Sequence, residues 1–442
     1  MPQSDIVRAE PAQPAAGSPQ TAAAGSPQVA LNEGRSMAVL LATVLAPFAL
    51  AHFFSYLFRT VNAVVYPDLA RDLGLAADSI GLLTSAYFLA FAAAQLPIGL
   101  ALDRCGPRKV QVIMLLMAAA GALLFARAHT VGELALARGM IGLGVAGSLM
   151  SAIKASSLWL PQHMLPLSTS VLLAVGGMGA MASTTPMQWA LSLTDWRGAF
   201  LTLAASTLAI SALIFMVVPE HPGKKTQTRL RDMVGAVGEL YRAWSFWRLA
   251  LYTLFAHATY MAVQGLWMGP WLRDVGHLAR PEAAQVLFAG TVAMVAGSLA
   301  FGWITDALQR QGFKPILVCG AGTVLFMLFQ LLMVLGPGTG ALHPMVLAVG
   351  FSFFGTATTM NYVVVAQSVP THLTGRVSTS FNLLVFLLAF VVQWGLGALI
   401  NQWAPDRGQY PVEAYRVALG LILLLQVPGI LLWFSFRPWR RD

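Results

Sequence analysis

Charge is scarce in this sequence. Only 10% of its 442 residues are Asp, Glu, Lys or Arg, against about 25% in soluble domains. That scarcity excludes an ordinary water-soluble fold. Cysteine is scarcer still: Cys105 and Cys319 are the only two, too few for a disulfide framework. Neither has His or Cys neighbours at metal-ligand spacing, so no metal and no cofactor is expected. A phosphate-cradling glycine loop, a zinc-spaced cluster and a nucleophile elbow are also missing. "GVAGS" and "VGGMG" lie inside apolar stretches, where small residues serve helix packing. The chain does not read as an enzyme.

Apolar residues take the place of what is missing, at 57% of the chain. Runs of membrane-spanning length, about 20 residues, fall at 38–66, 79–101, 109–128, 132–153, 168–191 and 198–218. A second set falls at 247–270, 284–306, 315–336, 343–367, 377–401 and 414–436. The expected fold is an all-α membrane protein with twelve transmembrane helices in two pseudo-symmetric six-helix bundles, 37–220 and 247–437. Residues 1–36, in which "AAGSPQ" occurs at 15–20 and 23–28, read as a disordered tail rather than a signal peptide. In the linker, 221–246, Leu230, Met233, Val234, Val237, Leu240, Tyr241 and Trp244 recur at helical spacing. They predict an amphipathic helix on the membrane surface.

The net charge of +9 does not call for nucleic acid. With an even helix count, lysine and arginine gather in the loops on the side of both termini, while the acids divide evenly. The positive-inside rule then makes both termini cytoplasmic. The halves repeat: Pro67 and Asp103 have the same spacing as Pro270 and Asp306, and a shift of 203 residues superposes them. Repeated halves with a site between them are a transporter design.

"GLALDRCGPRKV" (99–110) joins the second and third helices. Gly99 permits close approach, Asp103 ends a helix, Gly106 and Pro107 force a turn, and Arg104, Arg108 and Lys109 follow. The plainer reading is a charged turn that obeys the positive-inside rule. The stretch resembles the loop signature of the major facilitator superfamily, Gly-x-x-x-Asp-Arg-x-Gly-Arg-[Lys/Arg], with Pro107 as a departure that many members share. "GWITDALQRQG" (302–312), with Asp306 and Arg310, resembles its degenerate second copy. "ARGMIGLGVAGS" (137–148), with Arg138, resembles the fourth-helix motif, and "DWRGAF" (195–200) the entry to the sixth helix. The resemblance implies two bundles that rock about a central cavity lined by helices one, four, seven and ten. It gives Gly99, Asp103, Arg104, Gly106, Arg108, Arg138, Asp306 and Arg310 roles in gating and conformational change.

Polar residues in the helices are the candidates for substrate contact. His52, Ser55, Tyr56, Arg59, Asn62 and Tyr66 share one face of the first helix by their three- and four-residue steps. Thr253, His257, Tyr260, Gln264 and Trp267 do so on the seventh. The fourth offers Lys154, the tenth Asn361 and Tyr362, and the eleventh Asn382 and Gln393. The plainer reading is that such groups bond neighbouring helices.

Arg59 is the only charge in the first run. A cation in the bilayer is costly and usually faces a cavity; the alternative is a side chain snorkelling to the surface. Arg59 lies eight residues before Pro67. There it resembles the helix-one arginine of the anion:cation symporters and organophosphate:phosphate antiporters, which binds the substrate's anionic group. A guanidinium stays charged and can clamp a carboxylate with two hydrogen bonds. Two departures matter. The antiporters' second arginine is replaced here by Ala262, which argues for a single carboxylate, and the symporters' preceding aspartate is Phe58. Lys154 reads as a second cationic contact, an inner gate, or a snorkelling lysine.

No Asp or Glu stands deep in any apolar run, which counts against a drug–proton antiporter. His52 and His257 remain as groups that titrate near neutral pH. The expectation is a monomeric, multi-pass secondary transporter in a bacterial cytoplasmic membrane. It would move a small organic anion, a monocarboxylate or similar, with a proton or counter-anion as the coupled species. Efflux of lipophilic compounds is the alternative, and a transporter-like sensor a further one.

Overall fold

The computed structural model describes residues 36–161, 164–220, 244–336, 343–362, 374–406 and 408–435, together with 235, 238, 241, 242 and 364. The N-terminal tail and most of the linker with its expected amphipathic helix lie outside the described residues. Among those described the long elements are all helices, and Asp406 and Gln409 form an isolated bridge. Helices are what a lipid solvent requires, because each satisfies its backbone polar groups within one segment.

Among the described residues the helices group in order into twelve spans, α1–α12. α1 comprises Met37–Leu40, Leu41–Leu45 and Ala46–Thr60, and continues past Val61 as Asn62–Leu73. α2 and α3 are the arms of Ala77–Arg127, which breaks where Gly106 adopts φ 78°, a value that glycine tolerates without strain. α4 is Val131–Val145 with Ser148–Trp159, α5 is Leu165–Ala182 with Thr185–Leu193, and α6 is Trp196–Val217. α7 comprises Trp244–Ala262, Val263–Trp267 and Met268–Asp274. α8 is Arg280–Arg310, α9 Pro315–Leu335, α10 Pro344–Gly355 with Thr356–Met360, α11 Thr374–Ile400 and α12 Val412–Phe434.

Local sequence explains where the spans start and break. Thr130 and Glu133 form a capping box at α4, and Asp195 caps α6 by accepting the Gly198 amide. The four spans that the family resemblance sets around the cavity are each interrupted. α1 breaks at Val61 and α4 at Ala146–Gly147, α7 widens into a π-helical stretch over Val263–Trp267, and α10 tightens into a 3-10 stretch over Thr356–Met360. The shift of 203 residues carries Val61 onto Gln264, inside the π-helical stretch. Both breaks precede a mirrored proline, Pro67 and Pro270, which lacks the amide that would continue the ladder.

The two halves, α1–α6 and α7–α12, meet along α2 with α11, α5 with α8, and α1 with α7. Within the first half, Gly142 lets α4 approach the Tyr87 carbonyl of α2, where a Cβ would stand 2.3 Å away. Leu193, Met216, Leu299 and Trp303 are exposed on the outside, as side chains in contact with lipid are. An even number of spans puts the start of α1 and the end of α12 on one face, here called the terminal face, away from the opposite face.

Candidate functional site

Arg59 stands two residues before the α1 break, and its guanidinium turns into the seam between the halves. Its Cζ lies 4.7 Å from the ring centre of Tyr56, 5.3 Å from Phe91 of α2 and 5.4 Å from Phe386 of α11. Contact with a ring of the other half removes the snorkelling alternative. Tyr87 is within hydrogen-bonding reach, while Nε is sealed from solvent and has no partner. Among the described residues the cation is therefore met by the faces of three aromatic rings and by Tyr87, and by no carboxylate.

The structure brings much of the remaining polar set to this point. Arg59 is in electrostatic range of His52, His257 and Tyr362, and Tyr56 is in range of Tyr260 and Tyr362. His52 is buried with both ring nitrogens unpartnered, and it sits edge-on to Tyr56 at 5.1 Å. His257 Nδ1 is 2.7 Å from Thr358 Oγ1 of α10, and its ring lies edge-on to Tyr362. Tyr260 packs its ring on Phe326 and Phe351 and leaves its hydroxyl free. Asn361 is fully buried with neither amide atom bonded. Each buried polar group left without a partner costs roughly 1–3 kcal/mol, so such groups mark where a ligand or water belongs.

Other candidates are already engaged. Asn62 Nδ2 donates to Thr84 Oγ1 at 3.0 Å, and Gln264 Oε1 accepts from Ser352 at 2.9 Å. Trp267 is buried, and its indole donates to the Gln393 carbonyl of α11 at 3.0 Å; it belongs to the seam between α7 and α11. Tyr362 donates to Asn382 Oδ1 at 2.6 Å, and Asn382 Nδ2 donates to Gln95 Oε1 of α2 at 2.9 Å. The structure does not bring Lys154 into the Arg59 cluster. Its ammonium binds Asp103 at 3.0 Å, with both side chains partly exposed.

The residues that the resemblance assigns to gating lie mostly toward the terminal face, where no ion pair joins the halves among the described residues. Arg108 donates to the Phe215 carbonyl of α6, Asp306 pairs with Arg310 within α8, and Arg104 is exposed. Lys109 pairs with Glu220 and holds that carboxyl below its usual pKa. Gly99 is half-buried, and Gly106 makes the α2–α3 break. Arg138 is fully buried; it donates to the Phe58 carbonyl at 2.9 Å and lies over the Tyr87 ring. It thus steadies the turn of α1 that carries Arg59.

Two closures flank Arg59. Toward the opposite face, Asp68 of α1 takes a two-point bond from Arg280 of α8. The Ala77 amide of α2 donates to the Tyr410 hydroxyl at 3.0 Å. Gly269 and Gly397 lie so close to the Ala63 and Ala77 carbonyls that a Cβ would stand 2.3 and 2.6 Å from them. Toward the terminal face, Phe91 stacks on Phe386 at 4.1 Å, and Gln95 meets Asn382 one turn further on. The sequence reading missed Gln95, Phe91, Phe386 and the Asp68–Arg280 pair. A glutamine inside the second apolar run was the one available signal.

The model of the Major Facilitator Superfamily matches residues 48–436. The Probable sulfoacetate transporter SauU of Cupriavidus necator is 23% identical over 291 residues, covering 63% of this chain and 68% of the relative. The Hexuronate transporter of Escherichia coli K12 is 23% identical over 284 residues, covering 60% and 65%. The chain thus spans about two thirds of these relatives' length. Monocarboxylate transporter 11 of Mus musculus is 28% identical over 253 residues, covering 57% and 55%. Among solved structures, a bacterial homologue of the human lysosomal transporter Spinster, described as inward-facing and unoccupied, superposes with a TM-score of 0.71 at 16% identity. That match covers 92% of this chain and 100% of the other, a likeness of fold.

Proposed function

Since this chain belongs to the major facilitator superfamily, we propose that it is a secondary transporter that moves a small organic anion, a monocarboxylate or similar, by alternating access. The observation that carries the reading is Arg59, a cation between the two halves with no carboxylate among the described residues to neutralise it. The names of the relatives, which include sulfoacetate, hexuronate and monocarboxylate transporters, support an anionic cargo.

In this reading Arg59 holds the anionic group with two of its N–H donors. Tyr56, His52, His257, Tyr260, Asn361 and Tyr362 surround the rest of the substrate. Asn62, Gln264, Trp267 and Asn382 shape the site through the helices they join. Asp103 with Lys154, and Arg104, Arg108, Arg138, Asp306 and Arg310, serve the rocking of bundles 37–220 and 247–437 about the linker. Both termini are cytoplasmic in a bacterial inner membrane, so the opposite face is the external one and this conformation is closed to the outside. His52 and His257 are the candidate proton carriers if a proton is the coupled species; a counter-anion is the other option.

A thermal-shift screen of purified protein against mono- and dicarboxylates, phosphates and lipophilic cations tests the proposal. Stabilisation by a monocarboxylate is the expected result. Stabilisation only by neutral or cationic compounds overturns it and favours efflux of lipophilic compounds.

A further inference from the structure

Gln393 of α11 is fully buried, and neither its Oε1 nor its Nε2 has a partner. It stands where α1, α2, α7 and α11 converge. Its backbone carbonyl is held by the Trp267 indole, which fixes this turn of α11 against the π-helical stretch of α7. At Gly265, inside that stretch, a Cβ would lie 3.8 Å from each of three atoms: Gln393 Oε1, the Arg59 carbonyl oxygen and Phe88 Cζ. Gln393 Oε1 and the Arg59 carbonyl oxygen therefore both border the space that Gly265 leaves open. π-helical turns of this kind recur at functional sites. Asn382, the other amide described above on α11, is committed to Tyr362 and Gln95. Gln393 is not.

We infer that Gln393 is a specificity-determining residue that reads a hydroxyl on the substrate while Arg59 holds the anionic group. An amide presents an acceptor beside two donor hydrogens, which suits a hydroxyl that both donates and accepts. A methylene in the same place leaves both ends of the amide unpaired. A site built to bond a hydroxyl rejects the analogue that lacks it. The inference rests on the anion reading of Arg59 and concerns the second half of the same site.

The test uses purified full-length protein and two pairs of acids matched in chain length, gluconate with hexanoate and lactate with propanoate. Wild type is expected to bind the hydroxylated member of at least one pair about tenfold more tightly. Gln393→Met, similar in length but without the amide, should remove that preference by weakening the hydroxylated member, while the unhydroxylated acid, no longer facing an unpaired amide, binds at least as well as to wild type. Arg59→Ala should weaken both members together. If Gln393→Met keeps the wild-type ratio while Arg59→Ala abolishes both, this inference is overturned and the anion reading stands. If Arg59→Ala changes neither, or no acid binds wild type, both are overturned. Should Gln393→Met fail gel filtration, Gln393→Asn replaces it, and an equal loss for both members of a pair overturns the inference.

Discussion

The seam between the halves is built differently above and below Arg59. Toward the opposite face it is backbone against backbone: Gly269 on the Ala63 carbonyl, Gly397 on the Ala77 carbonyl, reinforced by the Asp68–Arg280 pair. Toward the terminal face it is side chain against side chain: the Phe91–Phe386 stack and the Gln95–Asn382 bond. A backbone contact opens only when whole helices move. A stack and an amide bond open when rotamers change. The lesson is that parting the halves toward the opposite face asks whole helices to move, whereas parting them toward the terminal face asks first for side chains to turn.

Substitutions can break this contrast in order of size. Gly269→Val should have the largest effect. Its Cβ would fall 2.3 Å from the Ala63 oxygen, so the closure toward the opposite face cannot form, and flux in proteoliposomes should fall about a hundredfold or more while a cysteine on the opposite face stays open to labelling. Arg280→Gln comes next. Asp68 is largely buried and Arg280 about one-third exposed, so loss of the pair, at roughly 1–2 kcal/mol after screening, should shift the conformational balance about tenfold. The Asp68→Arg/Arg280→Asp exchange should restore part of it, as flux assays can show. Phe386→Ala or Asn382→Ala should act less, about three- to tenfold, since an aromatic pair or a neutral hydrogen bond is worth about 1 kcal/mol. Labelling at the terminal face should rise for these variants and not for Arg280→Gln.

The smallest effect lies outside the seam. The hydrogen bond and charge of Lys109 hold the Glu220 carboxyl below its ordinary pKa, so the pair's contribution is present above that ordinary value and lost as pH falls through the lower, folded one. Both groups are exposed. Glu220→Gln should therefore leave Tm nearly unchanged at pH 7 and remove only a slight acid-side dependence.

Much of the fold was legible because lipid enforces it. The twelve apolar runs correspond to the helices grouped as α1–α12 among the described residues, and the repeat of Pro67 in Pro270 pointed to two like halves, though not to the breaks in α1 and α7. Arg59 was legible for the same reason, being one charge in an oily run. What lay beyond reach were pairings across the chain. Asp68 and Arg280 are 212 residues apart, and Gln95 and Asn382 are 287 apart; spacing along one helix says nothing about either. Lys154 shows the limit from the other side. Its position in the fourth helix suggested the cavity, but Asp103, 51 residues earlier, takes its charge.

The account turns on Arg59 holding an anion, and binding of a stabilising monocarboxylate to wild type, Arg59→Lys and Arg59→Ala tests that most directly. Lysine keeps the charge but not the two-point geometry, so affinity should fall about tenfold for Arg59→Lys, and Arg59→Ala should show no anion-dependent stabilisation at all. Anion binding that persists undiminished in Arg59→Ala would contradict the account.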